Sequence, residues 1–476
     1  MDFFSNLPDE LVCHILSFLT TTEAASTSVL SKRWSNLFAL VPNIDFEDTV
    51  FWSYDCKKTP SSFIDFVDRV MALQGDSPIK KFSLKCQSGR VDSGRVNSWI
   101  CNVLQRGVSD LDLSIDFERG YSLPPNMFHS DTLVELKLRS DNSILEWGTG
   151  REDTFFPMLK TLVFEVTFID CGKMDMFLQA FPVLEELCID ATKWTVCDET
   201  VSSDTLRKLT IKSYGFGSVY HPRSISFDTP RLVYFNYADY VAEDYPKVNF
   251  TNLVEALLDL TVNGLKFMLE ITSRGDEDHV FLRFRNVSKL MSGIRHVQKL
   301  YLSSDTLEVL SLRYESIPVF NNLKVLCIRS SAHGGWQAMP ELLRSCPLLE
   351  TLVLKGLLHY VTDKCGDACD CISREDKGRS LISCPVRKLQ IERLQRTKRE
   401  LEMIKHFLES FRCVKEVEIY AEENNLVDYL QVPREFELFN ELYSCDVRFL
   451  ARGSLHKTWT TVYCTTNQVV KEENFS

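Results

Sequence analysis

The densest group of metal-binding side chains is Cys365-Gly366-Asp367-Ala368-Cys369-Asp370-Cys371, with His359 upstream and Cys384 downstream. Thiolates and imidazoles spaced as Cys-x2-4-Cys are the usual zinc ligands. Here the spacing is Cys-x3-Cys-x-Cys, and the last two cysteines alternate as they would on a strand. Three readings fit: an exposed polar insertion that binds nothing, a zinc site on Cys365, Cys369 and Cys371, or a redox-sensitive pair. We take the first, and expect no cofactor and no resident metal. The sequence holds no Gly-x-x-x-x-Gly-Lys-Ser/Thr phosphate loop, no Gly-x-Ser-x-Gly elbow and no His-Glu-x-x-His helix. Its nine histidines are scattered, and His14 reads as a surface or interface residue. No Cys–His pairing suits covalent transfer. The chain is expected to be no enzyme, with no catalytic residues.

Composition narrows the class further. At 476 residues the chain is long enough for two or three domains or one extended array. Its 54 Lys and Arg stand against 66 Asp and Glu, so the net charge is −12. That balance argues against nucleic acid and anionic membranes as partners. The N-terminus carries acidic residues where a secretory signal is basic. No apolar stretch reaches the roughly 18 residues a membrane helix needs. Most of the sixteen cysteines, such as Cys13, Cys188, Cys327 and Cys413, stand singly in apolar strings and read as small core hydrophobes. A soluble, reduced protein of the cytoplasm or nucleus is expected.

Elements that could position a partner begin at the N-terminus. In Leu7-Pro8-Asp9-Glu10-Leu11, Pro8 suits a helix start, and Asp9 and Glu10 favour the positive end of its dipole. Leu11, Ile15 and Leu19, with Val12 and Leu16, form an apolar stripe. Thr20 and Glu23 predict a capping box opening a second helix, from Glu23 to about Leu30. Ser31 can cap a third, Lys32 to about Leu40, with Trp34, Leu37 and Phe38 on its apolar side. Three short helices cannot hide Leu7, Pro8, Leu11, Ile15, Val29 and Leu30 together. Some of them must face a partner or the following domain.

The order Leu-Pro-Asp-Glu-Leu, Ile-Leu-Ser-Phe-Leu, Thr-Ser-Val-Leu-Ser-Lys-Arg-Trp resembles the plant F-box over roughly residues 5–45. The resemblance implies a helical hook for the Skp-family adaptor of an SCF-type ubiquitin ligase, and through it a cullin scaffold. By position, Leu7 and Pro8 would contact the adaptor. Leu11, Ile15 and Leu16 would lie at or beneath the interface, and Val29, Leu30 and Ser31 would follow. Arg33 and Trp34 would close the module against itself and the adaptor.

Beyond the hook, a string of apolar, two variable, apolar, one variable, apolar recurs. It starts at Val108, Leu133, Leu159, Leu184, Leu206 and Leu232, at intervals of 25, 26, 25, 22 and 26 residues. Further copies start at Ile79, Leu257, Val297, Leu323 and Leu349, and Leu307 reads as linking helix or loop. Residues 272–278 read as an exposed loop. Leu-x-x-Leu-x-Leu with a period of 20–29 residues is the leucine-rich repeat pattern. Such units stack their strands into one parallel sheet over an apolar core. The asparagine ladder of the standard repeat is missing, so the units resemble the irregular plant repeats found behind F-boxes.

From Cys384 a strand, a helix over about residues 397–411 and a second strand at Val414–Ile419 suit a right-handed crossover that continues the sheet. This stretch resembles the FBD domain that ends many plant F-box/LRR proteins. It is also what a cap over the last leucine layer would look like.

The expected fold is therefore α/β. A three-helix F-box occupies residues 1–45, leucine-rich repeats 75–380, an FBD-like segment 381–452 and a tail 453–476. The solenoid would carry a parallel sheet on its concave face, with helices and loops outside. The resemblance implies a substrate-recognition subunit of an SCF-type ubiquitin ligase, holding an unknown protein substrate on the repeats. The competing reading is a leucine-rich-repeat scaffold acting outside a ligase. Candidate substrate-facing residues are Glu135, Lys137, Arg139, Glu186, Asp190, Lys208, Lys212, Tyr234, Asn236, Arg329 and Lys355, which flank the inward leucines.

Overall fold

The structure, a computed structural model, describes residues 7–51, 61–86, 92–115, 123–146, 154–170, 173–193, 198–213, 223–261, 286–311, 317–330, 336–357, 365–369, 371, 375, 377–395, 397–421, 445–452 and 459–462. The chain forms two compact units, Met1–Tyr220 and His221–Ser476.

The first unit opens with α1 (Asp9–Leu16), α2 (Thr21–Thr27) and α3 (Lys32–Phe38). Thr20 and Glu23 form the expected reciprocal box, and the Ser31 hydroxyl accepts from the Trp34 amide. The second helix starts and stops earlier than the sequence pattern implied, because the box itself fixes the first turn at Thr21.

A parallel sheet follows directly. Its strands are β1 (Asn43–Glu47), β2 (Lys81–Cys86), β3 (Asp110–Ile115), β4 (Glu135–Glu146), β5 (Thr161–Asp170) and β6 (Glu186–Lys193). A short strand outside it, β7 (Glu199–Ser202), precedes β8 (Lys208–Ser213), which pairs with β6. Register is strict: Leu111, Leu136, Leu162, Leu187 and Leu209 stand abreast, as do Leu113, Leu138, Phe164, Ile189 and Ile211. All ten are buried. The sheet begins earlier than the repeats were read, since Val41-x-x-Ile44-x-Phe46 is a repeat string and all three residues are buried. Three hydrogen bonds clamp the helical module onto this strand: the Thr21 amide and hydroxyl donate to Asp45 Oδ1 at 2.9 and 3.1 Å, and the Asp45 amide donates to Thr21 Oγ1 at 2.8 Å.

Leu162, fully buried between Leu136 and Leu187, tests how far this row carries the unit. Leu162→Ala should cost about 3 kcal/mol of unfolding free energy, transfer and cavity terms together. Urea unfolding followed by circular dichroism measures this, and a loss under about 1 kcal/mol would contradict the packing described.

The second unit repeats the plan with β9 (Ile225–Asp228) and β11 (Val248–Asn249) paired outside the main sheet. The main strands are β10 (Tyr234–Tyr240), β12 (Glu255–Thr261), β13 (Lys299–Leu302), β14 (Val325–Arg329), β15 (Thr351–Lys355), β16 (Lys388–Leu394), β17 (Glu416–Ala421) and β18 (Asp446–Arg452). Each pairs in parallel with the next. Helices occupy Ser304–Ser311, Met339–Arg344, Arg379–Ser383 and Lys398–Ser410. The first of these is the link expected around Leu307.

Two readings of this half need correction. The string assigned to Leu257 is really Leu253-x-x-Ala256-x-Leu258, which disguises itself by putting alanine where leucine is usual; Leu257 points out of the core. In the helix Lys398–Ser410 the buried face takes in Met403, Ile404, Phe407 and Leu408, while Leu401 is half-buried. Within the span read as tail, β19 (Trp459–Val462) pairs antiparallel with β18. A single antiparallel strand of β-branched and aromatic residues covers an edge that would otherwise offer unpaired amides. Residues 272–278 lie outside the described residues.

The strand β17 also carries a pH-sensitive group. Glu418 accepts from Lys388 Nζ at 2.6 Å, Gln390 Nε2 at 2.5 Å and the Tyr420 hydroxyl at 2.9 Å. Burial alone would raise its pKa, but the three hydrogen bonds and the Lys388 charge outweigh it and hold the carboxyl below its ordinary value. A depressed carboxyl stabilises the fold above its unfolded pKa of about 4.3 and loses that contribution as pH falls through the folded value. Wild type should therefore lose melting temperature more steeply below about pH 4.5 than Glu418→Gln. Parallel thermal scans from neutral to acid pH check this; identical slopes would remove Glu418 as the cause.

Candidate interaction surfaces

The F-box residues separate into two sets. Val12 and Leu16 are fully buried, whereas Leu11 and Ile15 are exposed on the other side of α1. The single stripe expected from the sequence is thus two faces, because α1 packs on α3 through one of them only. Leu16 supports the surface from beneath and does not line it. Val29 and Leu30, in the turn between α2 and α3, are 85% and 68% exposed. Pro8 and Ser31 are also exposed, and Leu7 and Trp34 are half-buried. Arg33 fixes the N-terminal end: its guanidinium donates to the Leu7 carbonyl, and its Nε reaches Asp9 Oδ1 at 2.9 Å. The reading overlooked Phe18, 76% exposed and edge-on to the His14 ring at 4.8 Å. Its i, i+3 relation to Ile15 was the available signal.

All eleven candidate substrate-facing residues lie on the side of their strands away from the buried leucines. In the first unit they neutralise one another. Arg139 bridges Asp112 at 2.5 Å and Glu165 at 2.9 Å, and Lys137 pairs with Glu135. Lys208 pairs with Glu186 at 3.5 Å and Lys212 with Asp190 at 3.0 Å. Exposed pairs of this kind each contribute about 0–1 kcal/mol. Their consequence, among the described residues, is a face of mixed charge with no block of either sign.

In the second unit, Tyr234 and Asn236 are half-buried, Arg329 is exposed and Lys355 pairs with Glu392 at 3.4 Å. Between these rows runs a lane the sequence reading missed. Leu257, Tyr301, Cys327 and Val353 are register partners on successive strands, all on the side away from the buried leucines, where Cys327 and Val353 are themselves buried. Leu257 and Tyr301 keep part of their surface exposed. Attention to charged positions hid an apolar row that only strand register brings together. Burial pushes the Cys327 thiol up to about 11, so it sits in this lane as an apolar, unreactive group.

The cysteine cluster is not the exposed insertion that was expected. Cys365, Ala368 and Cys369 are buried, and the three sulfurs converge within 4.8 Å of one another. Cys413, read as a core residue, is exposed. His359 lies outside the described residues. Among the described residues no helix is long and apolar enough to cross a membrane.

A helical module with an uncovered apolar face, followed by leucine-rich repeats, defines a protein-interaction protein. An F-box domain model matches residues 4–45, and a model described as "FBD-associated F-box protein At5g56370, LRR repeats" matches residues 96–242. The chain is similar to three Arabidopsis thaliana proteins along nearly its whole length. "F-box/LRR-repeat protein At3g58930" is 52% identical, the match covering 97% of this chain and 100% of that one. "F-box protein At3g59000" is 52% identical over 100% and 98%, and "Putative F-box protein At3g58950" 51% identical over 97% and 100%. The chain belongs to the F-box/LRR-repeat protein family. Its domains point to a non-catalytic adaptor role, and an F-box implies a Skp-type adaptor as partner.

Proposed function

We propose that this protein is the substrate-recognition subunit of an SCF-type ubiquitin ligase, working in the cytoplasm or nucleus. Leu7, Pro8, Leu11, Ile15, Val29, Leu30 and Ser31 contact the adaptor, with Leu16, Arg33 and Trp34 holding them in place. The adaptor joins the chain to a cullin scaffold, and the repeat sheet holds a protein target. Tethering then turns a bimolecular encounter with the charged conjugating enzyme into a nearly intramolecular one. In this reading the bond-making groups belong to the conjugating enzyme.

The observation that carries this reading is the uncovered apolar surface of the F-box. Leu11, Ile15, Phe18, Val29 and Leu30 are all exposed, while Val12, Leu16, Leu37 and Phe38 are buried and α2 and α3 carry side-chain caps. A surface of that kind on so small a module is a docking site waiting for its partner.

Co-expression with a Skp-family adaptor tests it. The two chains should elute together in equal amounts, and addition of cullin should yield a larger particle. Leu7→Ala with Pro8→Ala should release the adaptor. A folded chain that elutes alone would sink the proposal; adaptor binding without cullin recruitment would favour a scaffold outside the ligase.

A further inference from the structure

We propose that Cys365, Cys369 and Cys371 bind one zinc ion as a three-thiolate site, its fourth position open to an exogenous ligand. The sulfurs lie within 4.8 Å of one another, and Cys369 and Cys371 approach to 2.7 Å. That pair stands closer than two sulfurs bound to one zinc ion would, so it must open by about 1 Å to take the metal. A tetrahedral ion with Zn–S bonds of about 2.3 Å sets its sulfurs about 3.8 Å apart. Small movements of Cys371, the least buried of the three, would admit it.

The surrounding loop is built to hold these sulfurs in place. Gly366 lies against Pro340 and the Trp336 carbonyl, where an added Cβ would sit 2.4 Å from Pro340 Cγ, so no side chain fits. The buried Asp367 carboxylate accepts from the Ser380 amide at 2.6 Å, and the Asp367 carbonyl accepts from the Gly378 amide at 2.7 Å. Gly378 takes a left-handed φ of 75° to make that bond and opens the helix Arg379–Ser383. The loop is therefore anchored on both sides by packing and backbone hydrogen bonds.

The donors around the sulfurs suit thiolates. The Cys371 amide donates to Cys369 Sγ at 3.3 Å, and Arg399 Nη2 donates to Cys371 Sγ at 2.9 Å. Arg399 stands in the first turn of the helix Lys398–Ser410. N–H groups directed at ligand sulfurs orient and stabilise a metal-bound thiolate from outside its coordination shell. Three thiolates, one divalent cation and one guanidinium also sum to zero charge. Soft sulfur donors in a four-coordinate geometry select zinc over hard cations such as magnesium or calcium. In this arrangement the ion cross-links the long connection between β15 and β16, and Arg399 joins that connection to the helix that follows β16 through the Cys371 sulfur.

The full-length chain, purified reduced and without a histidine tag, should carry about one zinc per chain by elemental mass spectrometry. Cys369→Ser with Cys371→Ser should bring zinc to background. Arg399→Gln should keep the fold and weaken zinc affinity roughly ten- to a hundredfold in chelator competition. Should the double variant fail to fold, cobalt added to metal-stripped wild type decides the matter. It should give a thiolate-to-cobalt charge-transfer band and the intense visible bands of a tetrahedral ion. A folded, reduced wild type with neither zinc nor the cobalt spectrum overturns the site. So does a native chain lighter by the two hydrogens of a Cys369–Cys371 disulfide.

Discussion

Val29→Asp with Leu30→Asp should abolish co-purification of the Skp-family adaptor and leave the chain as stable as wild type. Both residues are largely exposed, so neither contributes much to folding. The pair also precedes the N-terminus of α3, capped by Ser31, where negative charge is favoured by the helix dipole. Adaptor binding is a different matter. Each side chain buried at the interface contributes about 1.5–3 kcal/mol, and replacing it with a carboxylate adds a desolvation cost. A combined loss above about 4 kcal/mol means roughly a thousandfold weaker binding. Calorimetry against purified adaptor, beside a thermal scan of each chain, measures both quantities. A drop of less than about tenfold with unchanged melting would remove this turn from the interface. Leu16→Ala makes the opposite control, since its side chain is fully buried: it should lower the melting temperature first and affect the adaptor only through that.

Much of the F-box and repeat plan was legible because both rest on short-range rules. Thr20 with Glu23, Ser31 before Trp34, and the buried residues at the second and third positions of each string need only local spacing to be read. What escaped was set by neighbours far away in the chain. The string at Val41 lies at the end of the stretch that matches the F-box domain and so passed for its end. Ala256 broke the pattern because one small residue can hold a core position when the adjacent layers are large. The ion pairs of Arg139 join strands 26 and 27 residues apart, and appear only once register is known. The cysteine loop looks polar, yet Pro340, Ser380 and Gly378 bury it from elsewhere in the unit. Spacing alone cannot carry that information.

Leu257→Asp with Tyr301→Asp should cut target capture roughly thirty- to a thousandfold, taking about 2–4 kcal/mol in all, while adaptor binding is retained. The two side chains are register partners at the open end of the apolar lane, and each presents partly exposed surface to solvent. Apolar and aromatic groups in the centre of an interface carry most of its free energy, and tyrosine is among the commonest of them. The charges beside the lane behave differently. Lys299 is paired with Glu255 at 3.8 Å and Lys355 with Glu392 at 3.4 Å, both half-exposed. Charges already matched on the same face chiefly tune association rate, so Lys355→Ala should change capture less than about fivefold and mainly at low salt. Proximity labelling with the proteasome blocked, run on wild type, the lane variant and a chain lacking residues 1–40, separates these cases. Proteins enriched by both wild type and the F-box deletion but lost from the lane variant are the expected targets. If the lane variant labels the same set as wild type and still binds the adaptor, target recognition lies elsewhere on the chain, and the apolar row is packing between neighbouring strands.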